Sequence, residues 1–184
     1  MKRAIVMGGS HTGLFTARAL SAHFEDAVVI EPDLIRDDGL GRRTPQRHQL
    51  HALLAHGTHT AGAVVPQDHR RDELAKGGAL LGKSDDVQFS LDGRLKAPVA
   101  EASMLGATQP FLESHLRRRA AAVENMRFCQ TQVTRLVLRG DRMAGVTTAA
   151  SEHETEGGER FDAESVVDAM GRNSPLEDRL VGHS

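Results

Sequence analysis

Six residues, Gly8-Gly9-Ser10-His11-Thr12-Gly13, stand between a short apolar run and a stretch of helical periodicity. Glycine can take the backbone angles of a tight strand-to-helix turn, and a glycine early in the helix lets it pack closely on the strands. A helix opening at such a turn offers free N–H groups and a partial positive charge, which together suit a phosphate or pyrophosphate. Glu31 follows Gly8 by 23 residues. That is close to the spacing at which a carboxylate closing the second strand accepts the hydroxyls of a ribose. Turn, helix start and acid therefore point to a nucleotide whose ribose carries no 2′-phosphate, FAD or NAD rather than NADP. The match to G-x-G-x-x-G is imperfect, because Ser10 occupies the middle glycine position. A serine narrows the backbone approach but can donate its hydroxyl to a phosphate.

Other chemistry-bearing residues form no comparable constellation. His48 and His51 are three apart, as are His56 and His59, but no carboxylate lies between Gln46 and Gln67 to complete a metal shell. They read as solvated helix histidines, and no metal site is assigned. Arg117, Arg118 and Arg119 are consecutive, so on a helix they fan over different faces. Cys129, the only cysteine, excludes a disulfide framework and reads as a small buried apolar residue in a strand. The pairs Glu25-Asp26, Asp37-Asp38 and Asp85-Asp86 fall at element ends or loops and form no acid–base dyad. No catalytic side chain is assigned.

The elements that must position the turn are legible. Residues 3–7 (RAIVM) and 27–31 (AVVIE) read as buried strands. Leu14, Ala17, Leu20 and Phe24 recur at spacings of three and four between them. Strand, glycine turn, helix and strand make a βαβ unit, which implies a parallel sheet. Residues 32–47 read as an arginine-rich loop and 48–64 as helical. From 77 to about 107 the chain is glycine-dotted, with strand candidates VQFSL and LKAPV around an Asp92-Gly93 turn. A helix is expected over 110–123, with Leu112, Leu116, Ala120 and Val123 on one face. Strands follow at 126–130, 133–139, after the Gly140-Asp141 turn, and at 165–169. The segment 151–160 reads as a loop. With 184 residues, 39% apolar residues besides 18 glycines and a net charge of −2, the composition is that of one soluble α/β domain with no general field for nucleic acid. There is no Trp or Tyr to stack on bases, no run approaching the ~18 apolar residues of a membrane span, and no leader-like pattern in MKRAIVMGGS. A cytoplasmic protein is expected.

Four segments, in order, carry a resemblance. MGGSHTGLFTARALSAHFEDAVVIEPD, GRRTPQRHQLHALLAHG, QPFLESHLRRRAAAVENMRF and VVDAMGRNSPLEDRL together resemble the FAD-dependent monooxygenases of the aromatic-hydroxylase type, with a glutathione-reductase-type FAD domain. The resemblance implies a Rossmann-like FAD-binding domain over 1–184, a β-meander, and part of a substrate domain inserted at about 77–107. It implies that Gly8, Gly9, Ser10 and Gly13 hold the FAD pyrophosphate and Glu31 the adenosine ribose. Arg43, Gln46 and His51 would run beside the flavin, and Arg117 would contact the phosphate or ribityl region. The Val133 backbone would meet the adenine, and Asp168 and Gly171 would close on the cofactor. Gln109 departs from the arginine common at its position.

The implied activity is oxidation of a small-molecule substrate, hydroxylation with NAD(P)H as electron donor and oxygen. Two other readings of the residues stay open: an NAD-dependent reductase and a non-catalytic nucleotide-binding remnant. Proteins of this type continue about as long again. The expectation is therefore a chain lacking the C-terminal half, completed by a partner chain or, alone, capable only of slow uncoupled NAD(P)H oxidation.

Overall fold

A run of four apolar residues after Arg3, with no charge to hold either face in water, demands cover on both sides, and this is what it receives. In a computed structural model describing residues 2–33, 50–53, 79–83, 88, 90–97, 103–150 and 158–174, strand β1 spans Arg3–Met7 and is buried from Ala4 onward. Helix α1 spans His11–Leu20, and β2 spans Asp26–Ile30, buried at every residue. β1 pairs in parallel with β2, from Arg3 opposite Asp26 to Met7 opposite Ile30. Two later strands complete this sheet, β8 (Met126–Cys129) beside β2 and β12 (Ser165–Asp168) beside β1, both parallel. Its order is β12-β1-β2-β8.

Alternation along a strand sends successive side chains to opposite faces. Ile5, Met7, Val28 and Ile30 pack with Val133, Val146 and Phe161. Those three come from a meander of β9 (Val133–Arg139), β10 (Arg142–Thr148) and β11 (Arg160–Asp162), in the antiparallel order β11-β10-β9. The alternate residues Ala4, Val6, Ala27 and Val29 are also fully buried. α1 packs along β1 and β2 and buries Gly13, Leu14 and Ala17. Each large side chain so enclosed contributes about 1.5–3 kcal/mol. At the N-terminal end of the sheet the buried Asp26 carboxylate binds Arg3 Nε at 2.5 Å and Arg127 Nε at 2.8 Å, and Arg127 Nη2 as well, joining β1, β2 and β8.

The remaining strands are β3 (Leu50–Leu53), β4 (Leu80–Lys83), β5 (Ser90–Leu91), β6 (Arg94–Leu95) and β7 (Ser103–Thr108), which runs into helix α2 (Gln109–Ala121). β7 is central in an antiparallel sheet ordered β3-β7-β4, and β5 and β6 form a separate hairpin. Two compact units result. One holds α1, β1, β2, β8–β12 and α2 from His115; the other holds β3–β7 and the start of α2. The second has its own small core of Ala79, Ala107 and Leu112, with Phe111 against it.

Several expectations change here. The helix read over 48–64 is a strand at Leu50–Leu53, where Leu50 pairs with Thr108 and Leu53 with Leu105. Leucines three apart mimic helical spacing, but pairing with β7 decides the conformation. The rest of that segment lies outside the described residues, as do residues 34–47 of the loop expected over 32–47 and most of 151–160. β4, β7 and β11 were not expected from the sequence. The α/β class with a parallel sheet holds, and so does the Asp92-Gly93 turn, where both residues have positive φ, 51° and 74°, as a two-residue hairpin requires.

Candidate nucleotide site

The C-terminal ends of β1, β2, β8 and β12 meet at one edge of the parallel sheet. From β1 the chain passes by way of α1 to β2 on one side, whereas β12 lies on the other. That reversal leaves a crevice above β1, the place where open α/β sheets bind ligands.

Gly8 leaves β1 with φ of +105°, and its N–H donates to the Ile30 carbonyl at 2.8 Å. A Cβ on Gly8 would lie 2.6 Å from the Ala169 carbonyl oxygen, so the turn fits against the end of β12 only as glycine. Gly13 is tighter still, with a Cβ position 1.9 Å from the Gly8 carbonyl oxygen. Ser10 is the N-cap, in extended conformation, and its carbonyl accepts the Leu14 N–H at 2.9 Å. No acid stands in the first turn of α1 to compete for its amides.

Glu31 stands beside this turn. Its Oε2 accepts the Gly9 N–H at 2.7 Å, its Oε1 accepts the Asp33 N–H at 2.9 Å, and its own N–H donates to the Cys129 carbonyl at 3.0 Å. The carboxylate is thereby fixed at the strand end with acceptor capacity left for hydroxyls. A Cβ on Gly9 would lie 3.0 Å from Glu31 Cβ, a tight contact that a shift of a few tenths of an ångström in that side chain would relieve. A phosphate at this turn must use the amides beyond Gly9.

Asp168 closes β12. Its Oδ1 accepts the Met170 N–H at 2.9 Å and its Oδ2 accepts the Ser174 hydroxyl, bracing the 3-10 turn Gly171–Asn173. Gly171 has φ of +76° and open space where a Cβ would be. Asp168 acts here on its own turn rather than reaching out from it. Val133 is 5% exposed and its side chain is spent in the core beside Ile5 and Ile30. Arg117, on α2, lays its guanidinium over the Phe128 ring of β8, 4.8 Å from the centroid.

The structure therefore gathers Gly8, Gly9, Ser10, Gly13, Glu31, Asp168 and Gly171 at one edge, with Val133 just past β8. It places Arg117 in a cation–π stack. His51 lies on strand β3 in the other unit, opposite Ala107, and not on a helix; His48 lies outside the described residues. Arg43 and Gln46 lie outside the described residues. Sequence reasoning missed Ser174 and Ala169. A serine six residues after an aspartate was the only local sign of the first, and the second contributes through its backbone alone. Among the described residues no three His, Cys, Asp or Glu side chains converge as a metal site would need, and no helix is long and apolar enough to cross a membrane.

Cys129 ends β8 beside Glu31 and is half-buried, and burial pushes its thiol up from the usual cysteine value. Because the thiolate is the nucleophile, iodoacetamide should label Cys129 slowly at neutral pH and rapidly once urea unfolds the chain. Equal rates, followed by mass spectrometry, would contradict this environment.

No family model matches the sequence. Protein Rv3254 of Mycobacterium tuberculosis (strain ATCC 25618 / H37Rv) is 30% identical over 183 residues, covering 94% of this chain and 38% of that protein. Among solved structures, pqsL, a probable FAD-dependent monooxygenase from Pseudomonas aeruginosa, superposes with a TM-score of 0.71 at 14% identity, covering 98% of this chain and 45% of that one. The flavin-dependent brominase Bmp2 gives 0.70 at 16% identity, covering 97% and 40%. p-Nitrophenol 4-monooxygenase PnpA from Pseudomonas putida DLL-E4 gives 0.68 at 17%, covering 98% and 44%. The chain has the fold shared by these flavin-dependent monooxygenases and halogenases, and it spans less than half the length of each relative.

Proposed function

We propose that this chain binds FAD at the glycine turn and belongs to a flavin-dependent oxidoreductase of the monooxygenase type, acting on a small molecule with NAD(P)H and oxygen. One observation carries the reading most. Glu31, fixed by the Gly9 and Asp33 amides, stands beside a helix N-terminus at the crevice where the sheet changes direction. The donor set fits a dinucleotide, with amides of the first turn of α1 for the pyrophosphate, the Glu31 carboxylate for ribose hydroxyls and the Val133 backbone for adenine. The glycines at 8 and 13 keep the turn low enough for a phosphate to approach. When bound, FAD supplies the redox chemistry, while the protein supplies position and electrostatics. The stacked Arg117 adds positive charge without a flexible arm, and the braced Gly171 turn leaves backbone exposed.

The first test is the visible absorption spectrum of the purified protein after incubation with FAD and gel filtration, in which a retained flavin band is expected. The second is Glu31→Ala. Loss of a charge-assisted acceptor is worth about 1.5–3 kcal/mol, so ADP and FAD should each bind at least tenfold more weakly by calorimetry. Unchanged affinities would remove Glu31 from the site.

A further inference from the structure

The opposite end of the same unit holds a cavity that the nucleotide reading does not use. β9 and β10 are joined by Gly140-Asp141, which sets Arg139 directly opposite Arg142. Like charges in that position destabilise a strand pair. Both side chains are exposed, and among the described residues neither makes a hydrogen bond or an ion pair. Just beyond them the ladder skips a residue, so that Met143 pairs with Leu138 and Gly145 with Val137, and Ala144 is bulged. The bulge is locked. The Ala163 N–H donates to the Ala144 carbonyl at 2.9 Å, and Gly145 has φ of +151° with no room for a Cβ, 2.1 Å from the Phe161 carbonyl oxygen.

β-Bulges bend a strand and re-aim its side chains. At the bulge lies an open concavity of about 610 Å³, lined by Met143, Ala144 and Ala163 together with the two arginines. That volume falls within the range of small-molecule sites. Two acids also line it. Asp162 is paired with Arg160, whose Nη2 lies 2.8 Å from its Oδ1, and it also feels the charge of Arg139, while Glu164 is the second acid beside the two guanidiniums. The Glu164 N–H donates to the Arg3 carbonyl at the start of β1, so the cavity sits at the N-terminal end of the sheet, away from the glycine turn.

We propose that this cavity is a second binding site, for a small organic anion: a carboxylate or phosphate group held by Arg139 and Arg142, carried on a short apolar body that covers Met143, Ala144 and Ala163. The anion relieves the repulsion between the arginines, and the bulge supplies the apolar floor. Occupancy is independent of the nucleotide.

The test is titration of the ¹⁵N-labelled full chain with phenyl phosphate and with benzoate, with benzyl alcohol as the uncharged control, all in saturating ADP. Both anions should give saturable shifts at the amides of Ala144 and Ala163, and benzyl alcohol none. A stronger response to phenyl phosphate identifies a phosphate ester as the preferred form, and a stronger response to benzoate a carboxylate. Arg139→Ser and Arg142→Ser, at exposed positions whose loss the fold tolerates, should each weaken binding roughly tenfold, the scale of one charge-assisted contact. Shifts confined to the glycine turn, equal shifts with benzyl alcohol, or unchanged affinity in the double arginine variant would overturn the proposal.

Discussion

Gly13→Ala is expected to destabilise the protein by more than about 3 kcal/mol, beyond the common range for overpacking. The sign is informative, because helix propensity alone predicts the reverse: alanine inside a helix is worth about 1 kcal/mol over glycine. At this position the added methyl would lie 1.9 Å from the Gly8 carbonyl oxygen and 2.9 Å from its carbonyl carbon. Both obstacles are backbone, so no rotamer change relieves them. Either α1 lifts away from β1, uncovering Leu14 and Ala17, or the Gly8 turn breaks and loses the bond to the Ile30 carbonyl. Both outcomes displace the amides offered to a phosphate, so nucleotide affinity should fall together with stability. Urea denaturation measures the first and ADP titration the second. Gly82→Ala, where nothing lies within 4 Å of the added carbon, is the control. A Gly13→Ala variant at least as stable as wild type would mean that the helix does not rest on the turn.

Asp26→Ala should cost about 2–4 kcal/mol. Breaking a buried ion pair typically costs about 3–5 kcal/mol by leaving a charge uncompensated. Here the Asp26 side chain is 3% exposed, but its partners Arg3 and Arg127 are 25% and 52% exposed, and water recovers part of the loss. The same triad gives an acid limb to stability. The Arg127 guanidinium, bonded to Asp26, holds the carboxyl below the usual aspartate range; burial opposes this, and Arg3 adds to it. A group whose pKa is lower when folded stabilises the protein above the unfolded value, near 4, and that contribution disappears as pH falls through the folded value. Wild-type stability should therefore drop below about pH 4 more steeply than that of Asp26→Asn. Superimposable acid limbs from urea titrations at several pH values would refute the assignment. Asp162, also lowered by its Arg160 partner, is exposed and contributes little to this limb.

The first strands, α1, α2 and the Asp92-Gly93 hairpin were legible because each is written in neighbouring residues: β-branched runs, apolar spacings of three and four, turn glycines. β3, β4, β7 and β11 were not. Leu50-His51-Ala52-Leu53 carries a helix-like spacing and becomes a strand only against Ser103–Thr108, a partner some fifty positions away that itself contains glycine, serine and alanine. Arg160–Asp162 offers one apolar residue and is a strand because Phe161 pairs with Val146. The same division runs through the site. Gly8, Gly13 and Glu31 follow from a local spacing with a known physical reason. That Glu31 spends part of its carboxylate on Gly9, that Asp168 braces its own turn, and that Arg117 stacks on Phe128 all depend on side-chain directions, which spacing does not encode.

The sheet that carries the site is stitched from the two ends of a long stretch of chain. Ala4 pairs with Ser165, and Arg3 reaches the Asp162 carbonyl, 159 positions later. Loop-closure entropy for such a span must be met before the pairing returns anything, and topologies of this kind fold slowly. During synthesis, β1, α1 and β2 leave the ribosome before β8 and β12, with the apolar runs 4–7 and 27–30 still lacking their outer partners. They must wait for β8 and then β12 before the crevice has its second wall. A nucleotide cannot template the early βαβ unit through Asp168 or Gly171, since neither exists yet beside it. The contacts proposed for the α1 amides and Glu31 lie within that early unit, whereas those proposed for Val133 and Gly171 require the later strands to have docked.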